Sequence, residues 1–145
     1  MSTEDPQRRP LDGRSAFEEA ARAVLLGLPG SDCRDAWLTG ADLGHWPLGE
    51  PEVIEALAAW LKRPGRRLTL LALGFDGLAR RQPRFAAWRV NHVHAIDSRS
   101  VPDMEADDMP QLLLAAPACI QLHDSQRWRA VITQDARSAR LASEQ

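Results

Sequence analysis

Residues 68–73 form a run of strand length that is apolar but for Thr69, set off by Pro64-Gly65 before it and Gly74 after it. A half-solvated strand alternates polar and apolar side chains. A run with apolar residues at both odd and even positions needs cover on both faces, as a strand inside a parallel sheet has. Helical periodicity stands before it. In 15–28, Phe17, Ala20, Ala21, Val24, Leu25 and Leu28 share one face, and Ser15 with Glu18 has the spacing of a capping box. In 52–63, Val53, Leu57, Trp60 and Leu61 do the same. Between these helices, 36–39 reads as a short strand, and the Gly/Pro-rich 40–51 as a loop.

After Gly74 the spacing predicts a helical turn over 75–81, a helix over 84–92 with Phe85, Trp88 and His92 on one stripe, and a strand over 94–101. An acidic loop (102–108), a short helix capped by Asp108 (110–116), two strands joined around Asp124-Ser125-Gln126 (118–122 and 127–133) and a terminal helix (137–143) complete the pattern. The 145-residue length suits one core. The predicted class is α/β: a single domain with a central mixed sheet, parallel in its first half with an antiparallel hairpin late, flanked by helices. Residues 1–13 are expected to be a flexible N-terminal tail and 14–145 the domain.

Eighteen basic against twenty acidic residues leave a net charge of -2. That balance argues against a polybasic membrane binder and counts against nucleic acid as a partner. No apolar stretch approaches the roughly 20 residues that span a bilayer. With no signal-peptide pattern and only Cys33 and Cys119, neither in a CxxC pair, a cytoplasmic location and no membrane association are expected.

Open α/β sheets place ligands beyond the carboxyl ends of their parallel strands. That rule selects Asp42 and His45 after the first strand, Asp76, Arg80 and Arg81 after the second, and Arg99 at the end of the third. Arginine would hold a phosphate or carboxylate, and His45, with Asp42, would be the acid–base candidate. Solvated loop side chains give the same pattern. His92 and His94, with Asp97, are candidates for a metal site if one strand carries both imidazoles. The helical stripe through His92 sets a boundary between the two and favours a packing role instead. Arg80, Arg81, Arg84 and Arg89 beside Phe85 and Trp88 have the interleaving seen in single-strand binders, although the two aromatics fall at core spacing. His123-Asp124 reads as turn chemistry. Trp46, in the loop, is a candidate shield for a pocket. Phosphate-cradling glycine motifs, a GxSxG elbow and HExxH are absent.

The run Pro83-Arg84-Phe85 with Trp88-Arg89 and His94, and the later Leu122-His123-Asp124 through Trp128-Arg129, resembles an uncharacterised family of bacterial proteins, which implies no activity. The element order also resembles one half of the phospholipase D-like fold. That superfamily's H-x-K-x4-D signature is missing: the only lysine is Lys62, and Trp60 stands where the histidine would be. The resemblance implies a non-catalytic relative. The expected function is binding or self-association without catalysis or cofactor, with the hairpin edge suited to a homodimer. A site for a small anionic ligand and a histidine metal site are the alternatives.

Overall fold

Leu68, Leu70 and Ala72 are fully buried because they share one face of a central strand, and that face packs into the main hydrophobic core. The computed structural model describes residues 8–134. In chain order these form β1 (Arg8–Asp12), α1 (Arg14–Gly27), β2 (Asp35–Gly40), α2 (Pro51–Leu61), β3 (Arg67–Ala72), α3 (Asp76–Arg81), α4 (Pro83–Val90), β4 (Ile96–Ser100), β5 (Leu112–Ala115), β6 (Ala118–Asp124) and β7 (Arg129–Thr133). The strands make one mixed sheet in the order β1-β7-β6-β5-β2-β3-β4. β2, β3 and β4 run parallel, and every other pairing is antiparallel. The fold is α/β, with a parallel block of β2, β3 and β4 beside an antiparallel block of β1, β7, β6 and β5.

The core lies between the sheet and the apolar stripes of α1 and α2. Phe17, Ala21 and Leu25 from α1 and Val53, Leu57 and Trp60 from α2 meet Leu38, Leu70, Leu113 and Ile120 from the strands. The indole N–H of Trp60 donates to the Cys33 carbonyl at 2.9 Å, so the one polar atom of this large side chain is satisfied inside the core.

Several expectations are corrected. Residues 8–12, assigned to a tail, form β1, which pairs with β7 and buries Leu11. A strand with the burial pattern of one inward residue in five carries no visible alternation. Residues 112–115, assigned to a helix, form β5. Leu112, Leu113, Leu114 and Ala115 are buried on both faces, and a short run of that kind has no period that separates helix from strand. The N-cap of α1 is Gly13, not Ser15; its φ of 97° turns the chain from β1 into the helix. Glu18 bonds Arg14 instead of the backbone. β4 begins only at Ile96, after a turn that holds His92 and His94. The hairpin β6–β7 is not a sheet edge, being flanked by β5 and β1. Trp46 is buried within the core. The helix expected at 137–143 lies outside the described residues.

Candidate functional site

Parallel pairing brings the carboxyl ends of β2 and β3 to one end of the sheet, where α1 and α2 begin and β6 turns into β7. Beyond β2, Asp42 caps the single helical turn Leu43–His45: its Oδ1 accepts from the Gly44 N–H at 2.8 Å. That turn docks on α3 through two glycines. A Cβ on Gly44 would stand 2.8 Å from Arg81 Cδ, and a Cβ on Gly77 would run into the Asp42 carboxylate. Gln82, between α3 and α4, fastens the same loop. Its Nε2 donates to the carbonyls of Gly44 (3.1 Å) and Trp46 (2.7 Å), and its Oε1 accepts from the Gly49 N–H (2.9 Å).

The close approach sets Arg81 between an acid and a base. Its Nη1 lies 3.3 Å from Asp42 Oδ2 and 3.4 Å from His45 Nδ1. Guanidinium has no acceptor, so Nδ1 must supply a lone pair and the neutral ring carries its proton on Nε2. Burial lowers the His45 pKa; Asp42 opposes this, and the charges of Arg81 and Arg14 add to it. The far side of His45 meets Trp128 edge-on, with ring centroids 5.6 Å apart. Trp128 also packs on Phe17 (5.3 Å), and the Arg14 guanidinium lies 5.2 Å from its ring. Its backbone has φ 55°, a conformation a bulky residue holds only under constraint. The Gly13 N–H bond to its carbonyl at 3.0 Å is one such constraint.

These side chains surround a cleft of about 420 Å³ lined by Arg14, Glu18, His45, Glu50, Arg81 and Trp128, among others. Both carboxylates of the lining are engaged: Glu50 takes a two-pronged bond from Arg22 (2.6 and 2.9 Å), and Glu18 bonds Arg14 at 2.6 Å. Arg81 uses one nitrogen of its guanidinium for both of its contacts, and Arg14 likewise uses one. Each keeps N–H donors for a guest.

A solved structure shares this fold. TrmBL2, an archaeal chromatin protein described as showing a novel mode of DNA binding, superposes with a TM-score of 0.62 at 16% identity. The match covers 99% of this chain and 52% of that one, so the chain spans about half the length of that protein. No protein-family model matches, and no curated protein does. The structural match corrects one expectation. Near-neutral charge counts against nucleic acid as a partner, yet this fold occurs in a DNA-binding chromatin protein. Net charge averages over the surface and does not decide the matter.

Of the residues chosen from strand ends, Asp42, His45 and Arg81 are brought together. Asp76 and Arg80 are exposed on α3 and do not line the cleft. Arg99 is exposed on the edge strand β4, paired with Asp97 at 2.7 Å. Arg14 and Trp128 were missed, because they reach the cleft only through the β1–β7 pairing. The rings of His92 and His94 lie 6.2 Å apart with 28° between their planes, and His92 Nδ1 bonds the Trp88 carbonyl at 3.0 Å. With Asp97 on Arg99, the three do not converge. Among the described residues no three His, Cys, Asp or Glu side chains form a metal cluster. Asp124 Oδ1 caps the β6–β7 turn, accepting from the Gln126 and Arg127 N–H groups. Among the described residues no helix is long and apolar enough to cross a membrane. Trp60 and Lys62 lie at the carboxyl end of α2, away from the cleft at its amino end.

Proposed function

We propose that this chain is a non-catalytic binding domain whose cleft takes a small ligand bearing a phosphate, sulfate or carboxylate group. The observation that carries this reading is the convergence of Arg14, His45 and Arg81 on one cleft whose own carboxylates are already bonded. An anion there would gain charge-assisted hydrogen bonds from two guanidinium groups and from an imidazole N–H. Trp128 gives the guest a flat apolar wall. Binding suits the half-buried histidine better than proton transfer, since Arg81 holds its Nδ1 and burial keeps it neutral. Cys33 and Cys119 are buried free thiols, which supports a reducing, cytoplasmic setting.

Calorimetric titration with sulfate, whose charge does not change near neutral pH, tests the site directly. Arg81→Ala should weaken sulfate binding about ten-fold or more, the loss expected of a charged hydrogen bond. Arg99→Ala, remote on β4, should leave it unchanged. Equal affinity in wild type and Arg81→Ala would remove the cleft from consideration.

A further inference from the structure

Residues 75–100 carry five arginines against two aspartates, although the whole chain is net negative. This basic excess occupies α3, α4 and β4, the sheet's outer strand. Along α4 and just past its end, Arg84, Trp88 and His92 follow at intervals of four, so they form one stripe. The rings continue as a ladder. Phe85, wholly buried, meets Trp88 at 5.8 Å; Trp88 meets His92 at 4.3 Å with 33° between planes; His92 meets His94 at 6.2 Å with 28°. The ladder is thus rooted in the core and ends on an exposed imidazole. His92 is held in it by the bond between its Nδ1 and the Trp88 carbonyl, while Arg89 is committed elsewhere, 4.7 Å over Phe75 and donating to Ser98 Oγ at 2.8 Å.

Packing accounts for Phe85 and the inner face of Trp88. It does not account for His94, which is exposed and lies beyond the core, or for Val93, 74% exposed beside it. Arg84, one turn before Trp88 on α4, and Arg80, on the preceding α3, are both exposed and in no ion pair among the described residues. Stacked rings with uncommitted cations at their margin match a chain that offers flat faces and a phosphate at each step. A duplex hides those faces.

We propose that the α4–β4 face binds single-stranded nucleic acid, with a base stacking on His94 at the open end of the Trp88–His92–His94 ladder and phosphates meeting Arg80 and Arg84. The face shares no residue with the cleft lining and stands independently of the function proposed for it.

The test is fluorescence anisotropy of labelled twelve-nucleotide oligothymidylate titrated with the full chain across a salt series. His94→Ala, at an exposed site, should weaken binding about ten-fold, the loss of one stacked base. Arg80→Ala/Arg84→Ala should lower the slope of log K against log salt by about 1.4, as for two single-strand phosphate contacts. Circular dichroism should show both variants folded. A matched duplex should bind more weakly than the single strand. Three results would overturn the proposal: no saturable oligonucleotide binding at low salt, full affinity in both variants, or binding to phosphatidylserine vesicles but not to the oligonucleotide. The last would assign the face to a membrane surface.

Discussion

At the scale of single residues, His45 is the group through which solvent pH reaches the cleft. Its Nδ1 accepts from Arg81, a bond that exists only while the ring is neutral. Burial lowers its folded pKa below the ordinary 6.5. Above 6.5 the folded and unfolded states bind equally few protons at this site, and its contribution to stability is independent of pH. Below 6.5 the unfolded chain takes up a proton that the folded chain still refuses, so stability falls as pH falls, until the depressed folded pKa is reached. Urea melts between pH 7 and pH 5 should show this decline, and His45→Gln, which keeps an acceptor for Arg81, should reduce it. An unchanged slope in that variant would mean that other groups set the acid response. Sulfate bound beside the ring would favour the imidazolium, so its affinity should rise over the same interval in the wild type only.

At the scale of elements, the cleft depends on the docking of the Leu43–His45 turn against α3, and that docking depends on the absence of two side chains. Gly77→Ala places a methyl group against the Asp42 carboxylate, which must shift and release its bond to Gly44. Such overpacking costs about 1–3 kcal/mol. Asp42→Ala alone should cost about 1 kcal/mol through the lost cap. In the double variant the methyl meets no carboxylate, so the combined loss should be smaller than the sum; strict additivity in denaturant melts would refute the contact. The glycines were visible in the sequence, but their meeting was not, since thirty-three positions separate Gly44 from Gly77. The same limit governs the rest. Asp42 and His45 were legible because a strand end needs only local pattern. The helices α1 and α2 were legible because their periods are long. β5 was misread because Leu112, Leu113 and Leu114 are all buried, and β1 went unread because only Leu11 turns inward. Trp128 and Arg14 joined the site through a strand order that no local pattern encodes.

At the scale of the whole molecule, the sheet formed by the described residues has β1 and β4 as its outer strands, and β1 carries features that blunt an edge. β1 reads Arg-Arg-Pro-Leu-Asp: Pro10 has no N–H to offer a partner, and the charges around it discourage pairing. Inside it lies β7, Arg-Ala-Val-Ile-Thr, apolar at its centre and able to pair. The strand at the chain's start therefore does two jobs. It carries Gly13 and α1 into place over Trp128, and it closes the meander against other chains. Deleting residues 1–12 should cost at least the burial of Leu11, about 2–3 kcal/mol, and should bare the β7 edge. Light scattering over a concentration series should then show association of the shortened chain where the intact chain keeps a constant mass. Leu11→Ala separates the two effects: it should lose stability comparably yet not associate, because the β1 backbone still covers β7. Association of both variants alike would mean that lost stability, and not the exposed edge, brings the chains together.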